Sequence, residues 1–307
     1  MKKGINLAIY NSIDQDYFLK LIDLCKELQV DLVKIGVCWH DIEKEQGKYD
    51  WNRTDFFINS IKKVNLEILA DLSTFPCWAN GVDERKKEFL RKINFPNFDG
   101  LICIEEKNLP YYQSYLNELV KRYDIQLFEI INEPFGMGLP KIIDNEIIFG
   151  KSFEEYLKIL EISYKTIKSI RPYAKVGLGA FDYDIILLEK IPSDFFDAIC
   201  LHPYSHKPNE FFNFDLVENI SSEKEIWITE WGVNTEKAGW IQKVSEEKQG
   251  EIIQEVFSFS KTKGIEIFCY HTLNDWRPIN EEDNNFMGLV TFDLNKKKSF
   301  EVYKKCQ

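Results

Sequence analysis

The stretch QLFEIINEP, residues 126–134, is a short apolar run that stops on an amide, an acid and a proline. Rich in Ile, Leu and Phe, it is too brief for a buried helix and reads as a strand with Glu133 at its C-terminal end. Seven more runs of this kind recur along the chain: GINLAIY, DLVKIGVCW, LEILADLS, KVGLGAF, FDAICLHPY, EIWITEWG and IEIFCYHTL. Between them lie amphipathic stretches, about 14–28, 54–64, 109–122, 153–170, 183–190, 211–219 and 246–263, with a last turn or two near 299–305. Eight strand-then-helix units, their strands apolar enough to be buried on both faces, predict an α/β fold, a (β/α)₈ TIM barrel, over an open sheet. No Ser/Gly/Pro-rich linker, low-complexity segment or internal repeat divides residues 1–307, so a single catalytic domain is expected.

Composition narrows the partners. A chain of 307 residues, 44% hydrophobic, can bury a large core. Its formal charge of -11, from 50 acids and 39 bases, lacks the basic stripe that nucleic acid requires and would be repelled by acidic lipid. Neither nucleic acid nor a membrane is an expected partner. The opening MKKGINLAIY has no apolar segment of signal-peptide length, and no later run reaches a membrane span, so a cytoplasmic location is expected. The seven cysteines are odd in number and scattered without a CxxC pair, which reads as reduced thiols and not as a disulfide framework or zinc site.

Two acids stand out by position. Glu133 ends strand four and Glu230, in WITEWG, ends strand seven, and the longest interruptions (74–108, 135–152 and 274–298) also follow strands, on the face where such barrels build their sites. Glycosidic cleavage needs such a pair: one carboxyl to protonate the leaving oxygen, one carboxylate to act on the anomeric carbon or on water. Four indoles near strand ends, Trp39, Trp78, Trp231 and Trp276, are candidate stacking platforms for sugar rings, while Trp51 and Trp227 read as structural. A metal-dependent barrel hydrolase would need several imidazole ligands at strand ends, yet the chain has only His40, His202, His206 and His271 and none on strand one. No metal and no cofactor is expected.

The order INEP then ITEWG, on strands four and seven, resembles the retaining glycoside hydrolases of clan A. VKIGVCWHDIEKEQGKYDW, LSTFPCWA, HPY and NNFMGLVTFDLNKKKSFEVY extend the likeness along the chain, closest to family 39 with family 5 near it. This resemblance implies O-glycosyl hydrolysis of oligo- or polysaccharides, of β bonds, by double displacement. It makes Glu133 the acid/base, Glu230 the nucleophile, Asn132 the donor to the sugar 2-hydroxyl and Tyr204 a hydrogen-bond partner of the nucleophile. His202 would face the same site if its strand alternates regularly. Lys34 stands where many relatives carry an arginine, exchanging a planar fork for a point charge. Strand eight ends YHTLNDW, which leaves the aromatic floor common in the clan to Trp276, Tyr270 or His271. A sugar-binding barrel without turnover, or a transglycosidase, is the alternative on the same fold.

Overall fold

In the computed structural model, which describes residues 1–7, 14–81, 88, 104–134, 142–143, 146–147, 153–180, 185–207, 217, 223–236, 243–275 and 286–307, each apolar run supplies one strand. These are β1 (Lys2–Asn6), β2 (Leu32–Gly36), β3 (Glu67–Asp71), β4 (Leu127–Ile130), β5 (Lys175–Leu178), β6 (Ala198–Leu201), β7 (Glu225–Trp231) and β8 (Ile267–Tyr270). They close into a barrel in the order β1-β8-β7-β6-β5-β4-β3-β2, the (β/α)₈ arrangement the alternation predicts. The helices are α1 (Gln15–Leu28), the single turn α2 (Trp39–Ile42), α3 (Asn52–Lys63), α4 (Leu109–Arg122), α5 (Phe153–Ile170), α6 (Glu246–Thr262) and α7 (Lys298–Lys305). None of the described helices is long and apolar enough to cross a membrane.

Local chemistry sets the element ends. Asp14 caps α1 by accepting from the Tyr17 N–H at 2.7 Å, and Gln29 ends the helix in the left-handed region at φ 55°. Between these caps Phe18, Leu21, Ile22, Cys25 and Leu28 form one buried stripe, and each large apolar side chain so buried contributes about 1.5–3 kcal/mol. One expectation changes: within 183–190 the described residues, Ile185–Lys190, form a 3₁₀ segment. The helix expected at 211–219 falls, apart from Val217, outside the described residues. Six cysteines (25, 38, 77, 200, 269 and 306) are free thiols, and Cys103 is outside the described residues.

The chain resolves into two compact units, one of Met1–Ile35, Asn59–Ile68 and Leu201–Gln307, the other of Gly36–Ile58 and Leu69–Cys200. In the first, β1 pairs in parallel with β2 and β8, and β8 with β7; the register sets Asn6 beside Lys34. In the second, β3 pairs with β4, β4 with β5, and β5 with β6.

Lys3 ties the first unit together away from any strand end that carries chemistry. Only 6% exposed, its ammonium donates to the carbonyls of Leu28 (3.0 Å), Cys306 (3.0 Å), Lys304 (3.3 Å) and Tyr303 (3.4 Å). It thereby satisfies C-terminal carbonyls of α1 and α7 at once. Burial pulls its pKa below the ordinary lysine value, against the attraction of Cys306 and Asp31. Lys3→Met keeps the stem and strands those carbonyls; urea unfolding should show a loss of about 2–3 kcal/mol.

Candidate active site

In β7 the pairing with β8 shifts register between Ile228–Phe268 and Trp231–Tyr270, an extra residue that interrupts simple alternation at Thr229 and Glu230 and gives Glu230 and Trp231 different surroundings. Glu230 keeps 14% of its side chain exposed at the strand's C-terminal end. Around it the first unit gathers residues on or just beyond three other strands, β2, β6 and β8. Lys34 of β2 donates to Glu230 Oε1 at 3.0 Å, and the Tyr204 hydroxyl, just beyond β6, donates to Oε2 at 3.2 Å. His271 Nδ1, one residue past β8, is 3.4 Å from Oε2, and His202 Nε2 is 4.0 Å from Oε1. His202 also shares a hydrogen bond of 3.1 Å with the Thr229 hydroxyl.

Burial alone would raise the Glu230 carboxyl. The Lys34 ammonium first, then His202 and His271 when they carry charge, together with the Lys34 hydrogen bond, outweigh it and hold the group well below the usual carboxylate range. Glu230 is therefore a fixed, ionised carboxylate at neutral pH. Because its folded pKa is depressed, it adds stability that is present above the ordinary glutamate value and is lost as pH falls through its own.

The second unit carries the Asn-Glu-Pro turn. Beyond β4 the backbone enters the left-handed region twice, at Ile131 (φ 65°) and at Glu133 (φ 45°). A β-branched residue adopts that conformation only where its surroundings enforce it. Ile131 is fully buried, the Asn132 N–H donates to Ser73 Oγ at 2.6 Å, and the Ser73 hydroxyl in turn donates to Asp71. Gly179 packs directly beneath the turn: a Cβ there would lie 1.9 Å from the Ile131 carbonyl oxygen and 2.7 Å from Pro134 Cδ. The conformation fixes Glu133, partly exposed, at the end of this strand.

The structure therefore gathers Lys34, His202 and Tyr204 with Glu230 in the first unit, and sets Asn132 and Glu133 on one turn in the second. Two of the proposed stacking platforms are corrected. Trp231 is 0% exposed because the register shift in β7 pairs it with Tyr270 and packs its ring on Phe268 and Tyr270, with its N–H donated to the Ser205 carbonyl at 3.0 Å. Trp39 is 1% exposed because α2 turns it inward, stacked on Tyr115 and bonded at 2.6 Å to the buried Glu43. Neither offers a sugar an open ring face. Trp78 does keep partial exposure, edge-on to the exposed Tyr111, with its N–H on the Glu43 carbonyl at 2.9 Å. Trp276 lies outside the described residues. Sequence reasoning missed Asn6, the amide inside GINLAIY at which β1 ends, and Ser73, the polar residue that closes LEILADLS, and weighed His271 only as a possible floor.

No protein-family profile matches the sequence, and no curated protein sequence matches it. By structure the chain is similar to a family 39 glycoside hydrolase from the gut symbiont Bacteroides cellulosilyticus WH2, with a TM-score of 0.69 and 17% identity over 99% of this chain and 62% of that one. It is similar also to a monomeric β-xylosidase from Caulobacter crescentus CB15, with a TM-score of 0.71 and 18% identity over 99% of this chain and 67% of that one. A third is an exo-β-1,4-mannosidase from Opitutaceae bacterium strain TAV5, with a TM-score of 0.69 and 14% identity over 99% of this chain and 58% of that one. The chain thus spans less than two thirds of the first and third of these proteins, and at these identities what it shares with all three is the barrel fold.

Two substitutions check the geometry without reference to any activity. In Lys34→Met the buried carboxyl loses its main counter-charge, so Glu230, followed by carbon-13 NMR, should titrate at higher pH than in the native chain. Gly179→Ala cannot fit without moving the Asn-Glu-Pro turn; thermal unfolding should show a loss of more than about 3 kcal/mol, beyond an ordinary surface exchange.

Proposed function

We propose that this chain is a retaining O-glycosyl hydrolase of clan A, nearest to family 39, acting as one catalytic domain in the cytoplasm on β-linked oligo- or polysaccharides. The observation that carries this is Glu230, a carboxylate held ionised and oriented by Lys34 and Tyr204 at the end of a barrel strand. Its partner is Glu133 on the Asn-Glu-Pro turn. Likeness in fold to glycoside hydrolases across 99% of the chain supports the class of reaction.

In the first step Glu230 attacks the anomeric carbon while Glu133 gives its proton to the departing oxygen, and a glycosyl ester forms. Asn132 donates to the 2-hydroxyl, a contact that strengthens as positive charge develops on the sugar ring. Esterification removes the charge on Glu230, and Lys34 then stabilises the carboxylate as the leaving group of the second step. Glu133, now a base, takes a proton from water, which displaces Glu230 and restores the starting configuration. A second sugar in place of water would give transglycosylation by the same two steps.

Azide separates the two roles. Glu133→Ala should lose about 10²–10⁴-fold on poor leaving groups yet keep most activity on dinitrophenyl β-glycosides, with azide accelerating turnover to a β-glycosyl azide. Glu230→Gly should lose activity on every β-glycoside and, given azide, form the α-glycosyl azide by one inversion. Proton NMR of the anomeric centre reads the outcome: swapped configurations reverse the assignments, and two unimpaired variants remove the site from catalysis.

A further inference from the structure

Asn6, at the end of β1, is 5% exposed, and its amide nitrogen makes two contacts. Nδ2 lies 3.3 Å from the Thr229 carbonyl oxygen and 3.0 Å from His271 Nδ1. A carbonyl oxygen can only accept, so the face of the amide turned to Thr229 is its N–H₂. The second hydrogen of that group then points at His271, whose Nδ1 must accept it. Asn6 Oδ1, buried, has no hydrogen-bond partner among the described residues. Turning the amide over would give this oxygen to His271, but would set it against the Thr229 carbonyl. An orphaned buried oxygen is costly, and here it accompanies an orientation that makes two donations at once. The backbone of Asn6 is pinned as well: its carbonyl accepts from the Thr272 hydroxyl at 2.9 Å and from the Leu273 N–H at 3.1 Å.

A ring nitrogen that accepts a hydrogen bond carries no proton, so His271 is the neutral imidazole with its hydrogen on Nε2. Glu230 Oε2, 3.4 Å from the same Nδ1, receives no hydrogen bond from it, and is served by Tyr204 at 3.2 Å, while Lys34 serves Oε1 at 3.0 Å. His202, a further titratable neighbour of the carboxylate, is 4.0 Å away and shares a hydrogen bond with Thr229. An anomeric carbon poised for attack must come within about 3–3.5 Å of a Glu230 oxygen. The imidazole therefore lies alongside the reacting sugar, with its N–H on the ring edge away from Asn6.

We propose, on the glycosidase reading above, that Asn6 is a positioning residue that locks His271 in the Nε2–H tautomer, and that His271 is a specificity residue donating this hydrogen to a hydroxyl of the sugar seated against Glu230. A site built to donate to a hydroxyl discriminates against the deoxy sugar, because that hydrogen bond is then lost.

Two measurements test the proposal. The first is long-range proton–nitrogen NMR of the full chain labelled at its four histidines, with His271 assigned from its missing signals in His271→Gln. At neutral pH the native ring should carry its proton on Nε2, and Asn6→Asp, which offers an acceptor, should move it to Nδ1. A proton on Nδ1 in the native chain overturns the lock; the native spectrum decides this even where Asn6→Asp fails to fold. The second is kcat/KM on aryl β-glycosides and their monodeoxy analogues. His271→Ala and His271→Asn should each lose about tenfold, the equivalent of one hydrogen bond, while His271→Gln, which can place an N–H near Nε2, stays close to native. On the analogue lacking the recognised hydroxyl, native and His271→Ala should converge. Unchanged discrimination against every deoxy sugar in His271→Ala overturns the donor role. A native chain that cleaves no glycoside overturns that role together with the glycosidase reading, whereas the tautomer stands or falls by the spectrum alone.

Discussion

A carboxylate can stay ionised at the nearly enclosed end of a strand only if a cation is enclosed with it. For Glu230 that cation is Lys34, 3.0 Å away and buried on β2. Much else in the first unit follows from accommodating this pair. The β1–β2 register sets Asn6 beside Lys34, so β1 has to end on a small polar side chain there. His202, His271 and Tyr204 supply the polar surroundings that two enclosed charges need, since each charge costs several kcal/mol of lost hydration unless its remaining positions are met. Lysine suits the arrangement. Its single ammonium opposes one carboxylate oxygen and leaves the other to Tyr204, where the fork of an arginine would engage both.

Close backbone approach is the second constraint, and it recurs in both units. At Gly179 a side chain would strike the Ile131 carbonyl, and at Gly232 it would lie 1.9 Å from the His271 carbonyl oxygen. Each glycine stands one residue past its strand, next to a residue assigned to catalysis or recognition. Neither strand end could be seated where it is with a Cβ in that space. Precision at the site is thus built partly from atoms that are missing.

What was legible in the sequence was whatever a strand or helix period records. Alternation of apolar runs with amphipathic stretches announced the barrel, and the position of Glu133 and Glu230 at run ends announced the candidate pair. Periodicity alone does not place Trp231: β7 carries an extra residue between its pairings with Phe268 and Tyr270, and an irregularity of that kind is not written in the apolar pattern. Trp39 was harder, because whether a residue at the start of a short helix turns in or out depends on which aromatics it meets, here Tyr115 and Trp78. Asn6 was silent for a different reason. A lone amide inside GINLAIY reads as an interruption of the apolar run, and its meaning comes from Thr229 and His271, over two hundred positions away. Left-handed backbone at Ile131 is likewise invisible in a residue type that ordinarily avoids it.

The bonds of Lys3 span about 300 residues of chain, and Tyr303 reaches back to the Gly4 carbonyl over a similar interval. On the ribosome this imposes an order. The unit made of Gly36–Ile58 and Leu69–Cys200 holds its strands β3 to β6 consecutively, so all of its partners are present well before the rest has been made. Its counterpart is assembled from both flanks of the sequence, and β1 waits with one edge unpaired until β8 emerges. A strand kept waiting with an open edge is a template for the wrong neighbour, which makes the interval between synthesis of β1 and synthesis of β8 the period when nascent chains are most exposed to aggregation and to chaperone capture.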